Sequence, residues 1–211
     1  MPAHNFIVIE GNIGAGKTSL ATMYAKHLSA RLILEEFTEN TFLPKFYENP
    51  ERYAFPVELS FLSERFSQLK KELITPDLFS PLVIADYFIS KCQIFARNNL
   101  QKDEYDLFLK MYEIVEAGIP RPDLLVYLYL PVNQLQENIR KRGRSYEQQI
   151  SDVYLANIQK QYLEFIRQHG ELRVLIVDTS EVDFVNDAAH TERVFGLLSQ
   201  EWPKGVNRVK A

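Results

Sequence analysis

Apolar residues occur along the chain in short continuous runs, and longer stretches with helical spacing separate these runs. Continuous rather than alternating apolar strands indicate burial on both faces, which is typical of a parallel sheet covered by helices. The runs predict strands at residues 6–10, 31–35, 82–86, 124–130 and 173–178. The expected fold is therefore α/β, with a five-stranded parallel sheet flanked by helices.

The stretches around these strands have the three-to-four-residue spacing of amphipathic helices. They predict helices at residues 17–29, 51–73, 89–100, 104–117, 132–141, 151–169 and 191–202. The tail 203–211 shows neither pattern, and we expect it to be frayed or weakly docked. Since no repeat or low-complexity linker divides the 211 residues, we expect a single domain over residues 1–211.

The most informative motif is the octapeptide Gly-Asn-Ile-Gly-Ala-Gly-Lys-Thr at residues 11–18, between the first strand and the first helix. It fits the phosphate-binding pattern GxxxxGK[ST], in which backbone N–H groups and a helix N-terminus hold phosphate oxygens. Lys17 is expected to reach the outer phosphates of ATP, and the Thr18 hydroxyl to ligate Mg²⁺. The remaining residues expected to surround the phosphates are Gly11, Asn12, Ile13, Gly14, Ala15 and Gly16.

Three predicted strands end on carboxylates, at Glu35 with Glu36, at Asp86 and at Asp178. The carboxyl ends of parallel strands surround the phosphate loop, so an acid there can accept a proton from an attacking hydroxyl or help to hold Mg²⁺. An arbitrary acid at a strand end more often caps a helix or begins a turn, which is the interpretation we favour for Asp178. The neighbouring loop favours a functional role for Glu35 and Asp86.

Residues 140–144, Arg-Lys-Arg-Gly-Arg, form a basic cluster at a predicted helix end. A helix C-terminus explains one or two such charges, and a nucleic-acid surface would explain all of them. The formal net charge is −4 and no second basic stripe exists, so we do not expect nucleic-acid binding. A glycine hinge within the cluster favours an arginine-rich lid at about residues 140–150, which closes over a transferring phosphoryl group.

The first residues of the chain, its apolar stretches and its single cysteine indicate in which cellular compartment we expect the protein. The first residues lead directly into a strand, and no stretch of about 20 apolar residues occurs, so neither a signal segment nor a membrane partner is expected. Cys92 is the only cysteine and is expected to be a buried filler in a helix, which fits the reducing cytoplasm. The four histidines are scattered and suggest no metal site.

Taken together, these motifs resemble the deoxyribonucleoside kinase family over almost the whole chain. The resemblance rests on residues 9–18, on Glu35, on the segment 45–55 with its Tyr-Glu-Asn-Pro-Glu-Arg sequence, and on the Arg-Gly-Arg-Ser-Tyr-Glu sequence at 142–147. The segments 83–87 and 94–96 resemble the bacterial deoxyguanosine and deoxyadenosine kinase branch. The combination is much more specific than the phosphate loop alone.

The resemblance implies a P-loop kinase that uses ATP and Mg²⁺ to phosphorylate the 5′-hydroxyl of deoxynucleosides in nucleotide salvage. Glu35 would be the base that faces this hydroxyl, and Arg142 and Arg144 would close over the transferred group. Tyr47 and Glu147 would bind the 3′-hydroxyl of the sugar. Family members are often dimers through long helices, and the apolar segment 89–117 permits a homodimer.

The base pocket implied by the resemblance contains Glu58 and Arg65, which are seven residues apart and therefore on one helix face. Glu58 replaces the usual glutamine, and Lys91 replaces an acid one turn into the next helix. Glu58 can accept a hydrogen bond from a purine amino or ring N–H group, which favours purine substrates. Asn138 also replaces an arginine that often stacks on the adenine of ATP.

The family usually has an Asp/Glu-Arg-Ser triplet after the third strand, whereas this chain has Ala85, Asp86 and Tyr87 there. An ungapped match places Asp86 at the arginine position. Asp86 is therefore a metal-side acid and substrate contact only if the register shifts locally. Lys91 or a lid arginine is the candidate replacement for the missing cation.

Two other functions remain open from the sequence. A nucleoside monophosphate kinase would need an additional positive site for the acceptor phosphate, for which Arg65, Lys91 or Arg97 are candidates. A nucleotide-binding switch that hydrolyses ATP slowly would need a strand that ends in a Mg²⁺-binding aspartate, and only Asp86 or Asp178 qualifies.

Overall fold

A computed structural model describes residues 4–36, 40–74 and 82–211. The strands are β1 (Phe6–Gly11), β2 (Arg31–Ile33), β3 (Val83–Ala85), β4 (Leu124–Tyr129), β5 (Arg173–Asp178) and β6 (Gly205–Lys210). The helices are α1 (Lys17–Leu28), α2 (Leu43–Glu48), α3 (Pro50–Ile74), α4 (Lys91–Asn99), α5 (Lys102–Glu116), α6 (Val132–Arg142), α7 (Asp152–Gln168) and α8 (Ala188–Leu198). A short 3₁₀ turn, Ser145–Glu147, follows α6.

The strands form one sheet in the order β2-β3-β1-β4-β5-β6, and every neighbouring pair is parallel. Successive residues of a strand point to opposite faces, and both faces are covered. In β1, Ile7 and Ile9 belong to one apolar cluster while Val8 belongs to another on the other face. The prediction that continuous apolar runs mark doubly covered parallel strands is therefore confirmed.

Within the described part of the chain the sheet has six strands, so the expected number of five was wrong. The tail that we expected to be frayed forms β6. Gly205 N at its start donates to Leu172 O at 2.8 Å, and Ala211 N, directly after the strand, donates to Asp178 O at 3.0 Å. An edge strand needs only one neighbour, and alternate side chains of β6 remain exposed. Its sequence is consequently polar and lacks the apolar run by which the other strands were found.

The helices differ from expectation mainly at their ends. Helix α2 was not predicted, because six residues carry too little periodicity to distinguish a helix from a loop. Helix α8 begins earlier than expected, since the Asp187 side chain accepts hydrogen bonds from Ala189 N and His190 N and caps it. Within the described residues, no helix is both long and apolar enough to cross a bilayer.

Candidate active site

The loop between β1 and α1 has the backbone of a phosphate cradle. Gly14 and Gly16 have φ angles of 84° and 85°, which side chains other than glycine rarely adopt. A Cβ atom on Gly14 would lie 2.7 Å from Leu135 O, and one on Gly16 would lie 2.8 Å from a ring atom of Phe184. The loop therefore requires glycine at both positions, and Gly16 leads directly into the N-terminus of α1, where anions bind.

Polar contacts hold this loop in place. The Asn12 side chain donates to Leu155 O at 2.8 Å and accepts from Ile13 N at 2.8 Å. Asn138 Nδ2 donates to Gly14 O at 2.8 Å, so this residue supports the loop. Lys17 Nζ donates to Asn12 O at 2.8 Å, and burial together with repulsion from Lys91 lowers its pKa to about 8.

Asp86, the residue after β3, connects the phosphate loop to the segment after β2. Its Oδ2 accepts a hydrogen bond from the Thr18 hydroxyl at 2.6 Å, and its Oδ1 accepts one from Glu35 N at 2.7 Å. The acid thus lies beside Thr18 although the ungapped match assigns its position to an arginine. Asp178, in contrast, accepts from Ser180 N and Oγ in a local turn, as favoured from the sequence.

Glu35 lies between two buried cations. Arg65 Nη2 is 2.5 Å from Glu35 Oε1, and Lys91 Nζ is 2.5 Å from Glu35 Oε2. Burial alone would favour the neutral acid, but the charges of Arg65 and Lys91 and their hydrogen bonds outweigh it and lower the pKa of Glu35 to about 2. Glu35 is therefore a carboxylate at every physiological pH. Lys91, the candidate substitute for the missing arginine, contacts this carboxylate.

The Arg65 guanidinium is held from three sides. Besides Glu35, it donates from Nη1 to Cys92 Sγ at 3.1 Å, and its centre lies 4.5 Å above the Phe61 ring. Cys92 is fully buried with a free thiol, as expected of a filler, and also accepts this hydrogen bond. The side chain of Arg65 is therefore fixed between the Glu35 carboxylate and the rings of the pocket.

Glu58 is a second buried carboxyl group on the same helix as Arg65, with a different environment. Asn99 Nδ2 donates to Glu58 Oε1 at 2.6 Å, while Oε2 has no hydrogen-bond partner among the residues described. Burial raises the pKa of Glu58 to about 7, against the lowering effects of the Asn99 hydrogen bond and of the Arg65 and Lys91 charges. The group therefore changes protonation near neutral pH.

The basic cluster closes α6 and continues into the 3₁₀ turn, with Gly143 as a left-handed cap at φ 72°. Arg142 and Arg144 both pair with Glu147, whose own side chain is only 6% exposed. The Tyr47 and Tyr146 rings stack at 6.0 Å, and burial, with the nearby Tyr154 and Glu147, raises the pKa of Tyr47. The segment 140–150 thus contacts α2 through the stacking of Tyr146 on Tyr47.

These groups surround one cavity at the carboxyl ends of β1, β2 and β3. The sequence-predicted residues that line it are Ile13, Lys17, Thr18, Glu35, Tyr47, Glu58, Arg65, Asp86, Arg142, Arg144 and Glu147. As their spacing on one helix predicted, Glu58 and Arg65 line the same cavity. The loop residues Gly11, Asn12, Gly14, Ala15 and Gly16 are not part of the lining.

Sequence reasoning missed several lining residues, among them Phe61, Phe95, Asn99 and Tyr154. The sequence did indicate where Phe95 and Asn99 lie. Together with Lys91 they are spaced by four residues, which places all three on one face of α4. An isolated Phe or Asn at helical spacing is most often packing or surface, so the spacing alone gave no reason to assign a role.

Comparison with known proteins decides the family. The family model described as "Deoxynucleoside kinase" matches residues 7–201. The chain belongs to the deoxynucleoside kinase family. Among its relatives, a deoxyguanosine kinase of Bacillus subtilis is 37% identical over 196 residues, which cover 90% of this chain and 93% of that protein. A deoxyadenosine/deoxycytidine kinase of the same organism is 28% identical over 203 residues, covering 94% of each chain.

Solved structures agree with this assignment. The deoxyadenosine kinase from M. mycoides with bound dATP matches with a TM-score of 0.78 and 26% identity, over 92% of this chain and 98% of that one. The resemblance to the bacterial deoxyguanosine and deoxyadenosine kinase branch is thereby confirmed. As a deoxynucleoside kinase, the protein is an ATP-dependent phosphotransferase that acts on deoxynucleosides in nucleotide salvage.

Proposed function

We propose that this deoxynucleoside kinase phosphorylates the 5′-hydroxyl of purine deoxynucleosides, deoxyguanosine and deoxyadenosine, and that the cavity lined by Glu35 and Glu58 is its acceptor site. The observation that carries the proposal is the position of Glu35. It is a charged carboxylate whose side chain is only 11% exposed, and it is linked through its own N–H and Asp86 to Thr18 of the phosphate loop. An acceptor hydroxyl bound to Glu35 would therefore lie next to the outer phosphates of ATP.

The role of Glu35 follows from its charge. A carboxylate with a pKa of about 2 is a weak base, so it orients the 5′-hydroxyl by accepting its hydrogen bond and takes the proton late in the reaction. Phosphoryl transfer suits such a group, since its loose transition state demands positioning and charge stabilisation more than a strong base. Arg65 and Lys91 keep the carboxylate charged and fix its orientation.

Cations on the other side of the reacting atoms stabilise the phosphoryl group. Lys17 lies in the phosphate loop, and Arg142 and Arg144 both pair with Glu147 at the edge of the cavity. We propose that the two arginines contact the transferred group when ATP is bound. Glu147 would then bind the 3′-hydroxyl of the sugar together with Tyr47, whose ring stacks on the neighbouring Tyr146.

The residues around Thr18 fit a magnesium ion. The Thr18 hydroxyl and the Asp86 carboxylate are adjacent hard oxygen ligands, and no cluster of three or more metal-ligating side chains occurs in the described residues. Mg²⁺ typically takes one or two protein ligands together with substrate phosphates. When bound here, the ion would neutralise charge on the phosphates of ATP.

Base recognition is assigned to the far end of the cavity. Glu58 supplies hydrogen-bonding oxygens there, Arg65 lies nearby on the same helix, and the rings of Phe61 and Phe95 provide apolar surface. The relatives named as deoxyguanosine and deoxyadenosine kinases support a purine preference.

The alternative monophosphate kinase would need a free cation for the acceptor phosphate. Arg65 and Lys91 are both engaged by Glu35, and Arg97 lines a different crevice with Gln93 and Tyr105. The residues that the structure describes offer no observation that favours this alternative, and family membership likewise disfavours an ATPase switch without an acceptor.

One assay tests the proposal directly. Purified protein is incubated with Mg²⁺-ATP and each of the four deoxynucleosides or their monophosphates, and the products are identified by mass spectrometry. We expect dGMP and dAMP from the two purine nucleosides. Phosphorylation of dGMP or dAMP alone would indicate the monophosphate kinase, and ATP hydrolysis that no acceptor changes would indicate the switch. The Lys17→Ala variant, with unchanged circular dichroism, should be inactive in every reaction.

We further propose a homodimer through α5. Leu107, Met111 and Ile114 share one face of this helix and are 52%, 37% and 81% exposed. An exposed apolar stripe of this kind is typical of a subunit interface. Sedimentation analysis should give a dimer that Ile114→Glu dissociates and that Glu113→Lys, on a neighbouring face, leaves intact.

We also propose a cytoplasmic location, which the buried free thiol of Cys92 supports.

A further inference from the structure

The two oxygens of Glu58 differ in what they can bind. Oε1 accepts the Asn99 amide hydrogen bond at 2.6 Å, whereas Oε2 is buried and has no partner among the residues described. A proton on Glu58 therefore belongs on Oε2, because Oε1 is already used as an acceptor. With the proton, Glu58 offers a donor at Oε2 beside an acceptor at Oε1. Without it, Glu58 offers acceptors only.

The two purines are complementary to these forms in different ways. Adenine presents a donor next to an acceptor, its N6 amino group beside N1 or N7. Guanine presents the same combination with N1–H and O6, and in addition two adjacent donors, N1–H and the N2 amino group. The neutral acid therefore matches both bases, while the carboxylate matches guanine and leaves a ring nitrogen of adenine against a negative oxygen.

We propose that Glu58 discriminates between the purines by its protonation state, binding adenine only as the carboxylic acid and guanine also as the carboxylate, so that rising pH shifts the kinase towards deoxyguanosine. This inference rests on the proposed function, since it places the acceptor base at Glu58. It adds a pH-dependent substrate choice to that function.

The surroundings place this change near neutral pH. Glu58 on α3 is faced by Arg65 on the same helix, by Lys91 and Cys92 on α4, by Tyr154 on α7 and by Glu35 after β2. Burial raises the pKa of Glu58 to about 7, and the two cations and the Asn99 amide limit the rise. Glu35 remains charged throughout, because its pKa is about 2. Glu58 is accordingly a carboxyl group that changes protonation near neutral pH, whereas Glu35 is not.

The experiment measures kcat/KM for deoxyguanosine and deoxyadenosine from pH 6 to pH 8 with the same Mg²⁺-ATP. Titrations of ATP, of the phosphate loop and of the lid affect both substrates alike and cancel in the ratio. A single proton that titrates near pH 7 raises the deoxyguanosine-to-deoxyadenosine ratio by roughly tenfold over this range. A ratio that changes less than about twofold, with both nucleosides phosphorylated, would overturn the inference and leave the proposed function standing.

Matched variants identify the group. Glu58→Gln carries a neutral donor and acceptor at every pH, so its ratio should be independent of pH. Glu64→Gln changes an acid further along α3 that accepts from Ser60 and does not line the cavity, and it should keep the wild-type profile. A pH-dependent ratio that persists in Glu58→Gln would assign the proton elsewhere and overturn the inference.

Asn99→Ala provides a graded test. Loss of the amide donor disfavours the charged form of Glu58, so the midpoint of the ratio should move upward by roughly one pH unit. An unchanged or lowered midpoint would contradict the role of the Asn99 hydrogen bond.

Calorimetry gives a readout that does not depend on turnover. Binding of each nucleoside to the wild-type protein at pH 8 is measured in two buffers with different ionisation enthalpies. When deoxyadenosine binds, the protein should take up most of one proton at Glu58. When deoxyguanosine binds, it should take up much less. Equal proton uptake for the two nucleosides would overturn the inference. Failure of both nucleosides to bind or to be phosphorylated would reject the proposed function, and the inference with it.

Discussion

Glu35 and Glu58 are two carboxyl groups on one cavity with little exposure to solvent, and their environments shift their pKa values in opposite directions. Glu35 has two cations in direct contact, and its pKa falls to about 2. Glu58 has one neutral amide in contact, and its pKa rises to about 7. Burial acts on both groups in the same sense. The difference therefore comes from direct charge contacts, which only Glu35 has.

This contrast divides the cavity by chemistry. Near the phosphate loop, reacting groups need a fixed charge that does not change with pH, and the ion pairs of Glu35 supply it. At the base end, the hydrogen-bond pattern matters more than charge, and a group that titrates near neutrality can present two patterns.

The effects of Glu35 and Glu58 on the free energy of unfolding are also opposite. The contribution of Glu35 is present above pH 4.5 and lost as the pH falls towards 2, whereas Glu58 costs stability as the pH rises from 4.5 to 7.

The largest effect is expected from Glu35→Gln, which removes the fixed charge. Without a carboxylate to orient the 5′-hydroxyl and take its proton, turnover should fall by about 10² to 10⁴. Steady-state assays with deoxyguanosine measure the loss, and fluorescence titration with an ATP analogue should show retained nucleotide binding.

Glu36→Gln is the matched control for this change, because Glu36 is the exposed acid next in the chain. It should retain near-normal turnover. A severe loss of turnover in Glu36→Gln with little loss in Glu35→Gln would assign the orientation of the 5′-hydroxyl to Glu36. The contrast between Glu35 and Glu58 would then have no bearing on catalysis.

A second effect separates the two acids through stability. Native Glu58 keeps its proton between pH 4.5 and 7 while the unfolded chain releases it, so the wild-type free energy of unfolding falls over this range. Glu58→Gln has no such titration. The free energy of unfolding of the variant should therefore rise relative to wild type by about 3 kcal/mol from pH 4 to pH 8. Urea unfolding at both pH values measures it, and a difference that stays constant with pH would contradict the pKa of Glu58.

A third variant, Lys91→Met, should shift the pKa of Glu35 in the direction of that of Glu58. Lys91→Met removes one of the two cations, so the pKa of Glu35 should rise by about 1 to 2 units and the acid limb of the kcat/KM profile should move up with it. Lys71→Met, an exposed lysine in the last turn of α3, is the control and should leave the profile unchanged. An acid limb at the same pH in wild type and Lys91→Met would show that Arg65 alone sets the charge.

Much of this contrast was beyond sequence reasoning. The octapeptide and the acids after the strands located Glu35 and Asp86, since parallel topology brings strand ends together whatever the rest of the chain does. The protonation of Glu58 depends on how many cations approach it and on its depth of burial. Those quantities arise from the packing of α3 against α4, and no spacing along the chain contains them.

The strands of the fold likewise divide into those that the sequence predicted and one that it did not. Strands β1, β4 and β5 were found because burial on both faces demands continuous apolar sequence. Strand β6 was missed because an edge strand is stabilised by backbone hydrogen bonds that any sequence supplies. Asn99 was missed for a related reason, since its significance lies in the acid across the cavity and not in its own surroundings along α4.

The smallest effect concerns a third buried carboxyl group, Glu10, which lies near the end of β1 and has no ion pair and no side-chain amide donor among the described residues. Its Oε2 accepts from the Tyr162 hydroxyl at 2.8 Å and from Gly11 N at 3.2 Å, and burial raises its pKa. Tyr162→Phe removes one neutral donor, so it should lower the free energy of unfolding by about 1 kcal/mol.

Tyr127→Phe is a close control for Tyr162→Phe, because the two rings are in contact at 5.2 Å and both are about 1% exposed. The loss in Tyr162→Phe beyond that in Tyr127→Phe, measured by urea unfolding, is the contribution of the hydroxyl to Glu10. Since this hydrogen bond favours the charged form, the excess loss should be larger at a pH where Glu10 is charged than at one where it is neutral. An excess loss that does not change with pH would contradict this role of the Tyr162 hydroxyl. Among these acids, direct contact with cations would then be the interaction that keeps a carboxylate charged.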